Sequence, residues 1–247
     1  MSVLAGKTAL VSGGSRGIGR AIVERLCNDG ASVVFSFREN EAAAEEVTTA
    51  VRNAGGHAYA VRADQGRMPD LELLFEMAER HLGGLDILVN NAAINPLTSI
   101  LEATEAGYDR VMAVNAKGPF FAMQMAGRKL RDEGRIISLS TLNTVLPAPG
   151  SAIYAASKAA LEQFTAVAAR EFGQRGITVN TVSPGATDTD LLRASNPAEA
   201  LEATAAYTAL QRLGRPVDIA NVVGFLAGPD SQWITGQNLR ATGGLIL

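Results

Sequence analysis

Tyr154 and Lys158, in the stretch YAASK, stand four residues apart in a run otherwise made of small side chains. The surrounding segment 151–173, SAIYAASKAALEQFTAVAAREFG, is rich in alanine and reads as a helix, on which residues four apart share one face. A phenol with a pKa of about 10 is a poor acid or base at neutrality, but a nearby cation favours the phenolate and lowers that value toward the working range. The spacing therefore suits a tuned proton donor. It suits an ordinary surface pair equally well, and in isolation the surface pair is the better reading.

A second constellation is VSGGSRGIG, which puts Gly13, Gly17 and Gly19 directly after a first strand and at the start of a helix. Glycine lets backbone turn tightly and approach a pyrophosphate, and a helix start offers free N–H groups at the positive end of a dipole. This is the geometry of a dinucleotide pocket, with Gly13, Ser15, Arg16, Gly17, Ile18 and Gly19 as the expected contacts. The second strand ends FSFREN. A carboxylate at its tip would hold the ribose 2′-hydroxyl of NAD, but Phe37 occupies the tip and Arg38 follows it. Arg38 and Arg16 can converge on the 2′-phosphate of NADP, so NADP(H) is favoured over NAD(H), although Glu39 and Glu41 lie close by.

Short β-branched runs must carry these sites: 8–12, 32–37, 57–62, 86–90, 135–140 and 177–182. They are near-continuously apolar, as strands covered on both faces require, and the stretches between them suit crossover helices. The expected fold is α/β, a Rossmann-type doubly wound parallel sheet with helices on both faces, in a single domain over 1–247. The long irregular region 184–215 is expected to be a substrate-binding loop or lid. Within it Arg193 reads as an isolated cation in a mostly apolar stretch, which hints at a partly hydrophobic substrate.

Taken together, the glycine loop, NNAA (90–93), VNAKG (114–118), YAASK and PGATDT (184–189) resemble, in order and spacing, the short-chain dehydrogenase/reductase family, and within it the β-ketoacyl-carrier-protein reductase group. The resemblance runs from about Lys7 to Gly244. It implies that Tyr154 protonates a carbonyl oxygen beside the nicotinamide, while Lys158 lowers the phenol's pKa and binds the nicotinamide ribose. Asn115 would hold a water in a proton relay. Asp64 would contact the adenine with Gln65 beside it, and Asn91 would line the cofactor cleft. Thr187, after the Pro184–Gly185 turn, would meet the nicotinamide carboxamide. Asn90 is most simply a strand-end hydrogen bonder. The family's usual serine, 13 residues before the tyrosine, is Thr141 here; its hydroxyl can still donate and accept, and its methyl stiffens χ1 and takes room from the substrate. Ser140, one residue off in a strand, is expected to face the opposite side. Ala93 and Thr242 stand where glycine and aspartate are usual.

The remaining bounds are broad. A net charge of −3 with mixed signs shows no basic stripe, so small molecules rather than nucleic acid or membrane are the expected partners. Cys27 reads as a buried bystander, His57 and His81 match no metal pattern, and the start lacks a basic leader, which together suggest the cytoplasm. The reading is an NADPH-dependent reductase of a ketone or 3-oxoacyl group. The alternatives are a cofactor-binding regulator without turnover and an epimerase or dehydratase. A homotetramer is implied by the resemblance alone.

Overall fold

The computed structural model describes residues 2–245, apart from the side chain of Ser195. Seven strands form one parallel sheet: β1 (Thr8–Val11), β2 (Ser32–Phe37), β3 (His57–Arg62), β4 (Leu85–Asn90), β5 (Leu130–Leu139), β6 (Thr178–Pro184) and β7 (Asn238–Ala241). They lie in the order β3-β2-β1-β4-β5-β6-β7. The helices are α1 (Gly17–Asn28), α2 (Glu41–Asn53), α3 (Met68–Leu82), α4 (Glu105–Met112), α5 (Gly118–Lys129), α6 (Ala152–Phe172), α7 (Asp190–Ser195), α8 (Ala198–Tyr207) and α9 (Pro216–Ala227). A π-helical turn, Ala113–Lys117, joins α4 to α5.

Side-chain alternation along the strands builds two cores. Ala9, Val11, Val33, Phe35, Ile87 and Val89 pack on one face with Ile22 and Leu26 of α1, Val47 of α2 and Val223 of α9. Leu10, Val34 and Leu88 pack on the other with Leu71 and Phe75 of α3, Met123 of α5 and Leu161 of α6. The sheet is thus doubly wound, and β1 lies between β2 and β4, where the strand order reverses. Crevices at the carboxyl ends of strands at such a reversal are where this architecture takes its ligands.

Six strands match the apolar runs read from the sequence. The seventh, β7, has only four residues, NLRA, with alternating part-exposure. At the sheet edge one face of a strand can stay polar, so no apolar run announces it. The segment 184–215 contains α7 and α8 and closes on itself through an isolated bridge between Thr187 and Gly214. These two short helices make up half of the segment, and the rest is irregular. Among the described residues no helix is long and apolar enough to cross a membrane.

Candidate active site

The glycine loop hangs between β1 and α1. Gly13 has φ +70°, and a Cβ there would lie 3.0 Å from Ala92. Gly19 is tighter still: its Cβ would lie 2.0 Å from the Gly13 carbonyl oxygen. Ser36 of β2 accepts the Gly13 N–H on its hydroxyl (3.0 Å) and the Gly14 N–H on its carbonyl (2.9 Å), so the loop's open donors begin after these two. The preceding residue, Arg16, is extended and makes no side-chain cap, which leaves the first N–H groups of α1 turned outward. Asn91 supports the loop from below, donating to the carbonyls of Ser12 (2.9 Å) and Gly13 (3.0 Å). A backbone cradle that side chains would fill, at an uncapped helix start, fits a pyrophosphate.

Around this cradle, Phe37 is buried at the tip of β2, Arg16 and Arg38 are exposed, and Arg38 pairs with Glu39. Arg62 of β3 donates to the Arg38 carbonyl at 3.2 Å. The Asp64 carboxylate accepts from Arg110 at 2.7 Å and from the Gly66 N–H at 2.9 Å. Burial opposes its ionisation, but these bonds and the charges of Arg110 and Arg38 outweigh burial and hold its pKa below the usual value. Gln65 is buried and donates to the Val114 carbonyl, so its side chain is turned into the protein.

At the ends of β4 and β5 the second constellation assembles. Lys158 is fully buried and its Nζ donates to the Leu139 carbonyl at 2.6 Å. The Thr141 hydroxyl lies beside the Tyr154 phenol and favours its ionised form. Burial pushes the ammonium down to about 8, with the charge of Glu162 opposing it. Burial likewise raises the Tyr154 pKa, and the Thr141 hydroxyl offsets part of that rise. Here the structure differs from the sequence expectation of a lowered phenol pKa. Lys158 Nζ lies 6.0 Å from the ring centroid and is turned toward Leu139, so desolvation of the phenol dominates. A phenol in this state keeps its proton at neutral pH and can give it to an oxygen held beside it.

Asn115 sits fully buried in the π-helical turn. Its amide exchanges two hydrogen bonds with the Ile94 backbone, at 2.9 and 2.8 Å, and donates to Ser157 at 3.2 Å. Ser157 in turn donates to the Tyr154 carbonyl at 2.7 Å, so the asparagine braces the helix that carries the phenol. Thr187 is buried, its hydroxyl donating to the Gly185 carbonyl at 3.0 Å.

Comparison with known proteins places this architecture. The profile described as enoyl-(acyl carrier protein) reductase, of the short-chain dehydrogenase type, matches residues 13–246. The chain belongs to the short-chain dehydrogenase/reductase family. It is 41% identical to a hydroxynaphthalene reductase-like protein, Arp2, of Metarhizium brunneum, over 98% of this chain and 96% of that one. Among solved structures it is similar to the angucycline C-6 ketoreductase LanV with bound NADP, with TM-score 0.94 and 42% identity over 99% and 97% of the two chains. The promiscuous reductase LugOII, which catalyses keto-reduction at C1 during lugdunomycin biosynthesis, gives TM-score 0.94 and 42% identity over the whole of both chains. The protein is an NAD(P)-dependent oxidoreductase that reduces carbonyls. These matches do not single out the β-ketoacyl-carrier-protein reductase group.

Membership in the short-chain dehydrogenase/reductase family makes two corrections instructive. Ser140 does not face away: β5 ends at Leu139, strand alternation stops there, and Ser140 Oγ donates to Glu162 Oε1 of α6 at 2.6 Å. Arg193 is not isolated, because Asp188 takes it through two hydrogen bonds of 2.6 and 2.8 Å. Asn90 is buried at the end of β4, donates to Ser138 at 3.4 Å and leaves Oδ1 without a partner. Sequence reasoning passed over Arg110, Ser157 and Glu162. Their helical spacing, Ser157 from Tyr154 and Glu162 from Lys158, was the available signal for the last two, whereas only the fold brings Arg110 to Asp64. Elsewhere, burial, with Glu24 beside it, pushes the Cys27 thiol up to about 12, and His81 stacks on Tyr59. Among the described residues no group of His, Cys, Asp and Glu could hold a metal ion.

Proposed function

We propose that the protein is an NADPH-dependent ketoreductase that converts a ketone or 3-oxoacyl carbonyl to a secondary alcohol, reversibly. The observation that carries this reading is the grouping of the Thr141 hydroxyl, the Tyr154 phenol and the buried Lys158 ammonium just past the carboxyl end of β5, on the edge of the sheet where the glycine loop leaves β1. The N–H groups at the head of α1, with Ser15, Gly17, Ile18 and Gly19, would hold the pyrophosphate, Arg16 and Arg38 the 2′-phosphate, Asp64 the adenine, and Pro184, Gly185 and Thr187 the nicotinamide end. When bound, the nicotinamide supplies a hydride to the carbonyl carbon. Thr141 and Tyr154 then hold the carbonyl oxygen, Tyr154 gives it the proton, and solvent returns a proton to Tyr154 through the Lys158 side. Asn115 keeps α6 in place and the relay water beside it.

The relatives' names favour a ring ketone fused to aromatic rings as the first substrate class to try. Leu97, Val145, Leu146, Tyr207 and Leu210 are exposed on the segments that follow β4, β5 and β6, and they offer an apolar surface to such a ring. The 184–215 segment would close over it. The same reading carries a homotetramer, in which exposed Phe120 and Val167 of α5 and α6 are covered by another copy; sedimentation reads the mass. The deciding experiment follows reduced-nicotinamide absorbance over a panel of bicyclic and tricyclic aromatic ketones and 3-oxoacyl thioesters, with NADPH and with NADH. Consumption of NADPH with alcohol formed in equal amount is expected. Tight NADPH binding with no carbonyl turned over would leave a regulator in place of a reductase.

A further inference from the structure

The last residue of β5 and the two that follow it all face α6: the Leu139 carbonyl accepts from Lys158, Ser140 donates to Glu162, and Thr141 lies beside Tyr154. Two of the three helix residues have a place in the proposed reaction. The third does not. Glu162 Oε1 accepts from Ser140 Oγ at 2.6 Å and from Thr144 Oγ1 at 2.9 Å, so one carboxylate oxygen grips both sides of the bend that presents Thr141. Within that bend Thr144 Oγ1 also lies 3.1 Å from the Thr141 carbonyl, and the Asn143 N–H donates to Thr141 Oγ1 at 3.2 Å.

We infer that Glu162 is a positioning residue for the proposed reaction: its carboxylate fixes the bend carrying the Thr141 hydroxyl and sets a negative charge one helical turn from the Lys158 ammonium. The inference rests on the ketoreductase reading for its kinetic consequences, while the grip of Glu162 on Ser140 and Thr144 belongs to the protein alone. Other groups packed around Lys158 leave Glu162 as its charged partner. Tyr154 is neutral, and Ser140, Thr141 and Thr144 are hydroxyls. β6 carries no ionisable side chain, Arg110 of α4 is engaged by Asp64, and Lys117 of the π-helical turn is exposed. The opposing influences on Lys158 are burial, which is the larger, and the Glu162 charge.

The test uses two variants. Glu162→Gln keeps a carbonyl acceptor for Ser140 and Thr144 and removes the charge; Glu162→Asp keeps the charge and draws it back. With only four lysines in the chain, lysine side chains labelled with carbon-13 can be titrated by NMR in the protein without cofactor, the Lys158 signal being the one absent from Lys158→Met. In Glu162→Gln the Lys158 midpoint should fall by about one pH unit, as expected for loss of a charge one turn away at an effective dielectric constant of about 20–40. The alkaline limb of the reductive kcat profile should move down with it, because removing a negative charge eases loss of the first proton from the Tyr154–Lys158 pair whichever residue yields it. Glu162→Asp should keep most of the midpoint while lowering kcat, and NADPH affinity should hold in both. An unmoved Lys158 midpoint in Glu162→Gln, or a Glu162→Asp profile that coincides with it, overturns the inference. A shifted midpoint with no carbonyl turned over by the wild-type protein overturns the ketoreductase reading and leaves the Glu162–Lys158 link standing.

Discussion

Thr141 is where a single methyl group separates this chain from the serine that the resemblance in its sequence implies. Its hydroxyl lies beside the Tyr154 phenol, so Thr141→Val, which keeps the branched shape, should lower kcat by about 10²–10³-fold, the cost of a lost donor at a developing oxyanion. Thr141→Ser should stay active and accept bulkier ketones; steady-state kinetics on the best substrate decide both, and a Thr141→Val enzyme near wild-type kcat would remove the hydroxyl from the set. Lys158 makes a different kind of prediction. Its folded pKa, about 8, lies below its ordinary 10.5, so between those values the folded protein binds fewer protons than the unfolded chain. The burial cost is therefore fully present below pH 8 and relieved as pH rises toward 10.5. At pH 7, Lys158→Met should raise stability by about 2 kcal/mol, roughly 3 from the shift less about 1 for the lost hydrogen bond to Leu139, while activity collapses. Denaturant melts at pH 7 and pH 10 measure it: the gain should shrink at the higher pH, and a variant less stable than wild type at pH 7 contradicts the account. That Tyr154 and Lys158 share one helix face and that the glycines follow a first strand was legible in sequence because spacing is local, but only the motifs spread along the whole chain raised the pair above an ordinary surface contact. The direction of the phenol's shift was not legible, since desolvation is set by side chains from β5 and α6 that only the fold brings together.

Secondary-structure elements explain both what the sequence disclosed and what it withheld. Buried strands and the alanine-rich α6 announce themselves by composition, whereas edge strand β7 and the π-helical turn do not. The turn inserts one residue between α4 and α5 without any glycine or proline inside it, and its reward is tertiary: Asn115 reaches both backbone groups of Ile94 only from that wider turn. Ser140 was misread for a related reason, because the alternation rule holds only as far as the strand. The junction of β1 with α1 allows a sharper test. Gly19→Ala puts a Cβ 2.0 Å from the Gly13 carbonyl oxygen and 2.5 Å from Asn91 Nδ2, so the head of α1 must move away from the loop. NADPH affinity should drop by about tenfold or more, since a displacement near 1 Å spoils a cradle of aligned N–H groups. Fluorescence titration with NADPH, beside a melting curve to confirm folding, checks it; unchanged affinity in a folded variant would remove this loop from cofactor binding.

At the scale of the whole molecule, the cleft belongs to no contiguous stretch of chain. The glycine loop leaves β1, Asn91 leaves β4, Thr141 leaves β5 and Thr187 leaves β6, and the join between the two halves of the sheet is the pairing of Ala9, Leu10 and Val11 with Ile87, Leu88 and Val89. NADPH should then bind the complete fold alone and stabilise it by mass action: at a hundred times Kd the gain is about 2.7 kcal/mol, which for a chain of this size raises Tm by roughly 5–10 °C. Calorimetry with and without NADPH reads the shift, and a Tm that ignores saturating NADPH counts against the site. The central β1–β4 seam has one more consequence, for the life of the protein under attack by proteases. A ligand that spans the seam locks both halves at once, so cleavage sites in the 184–215 segment and in α2 should gain resistance by the same factor when NADPH is added. Protection of one half alone would reveal a chain able to unzip along β1 and β4 while the rest stays closed.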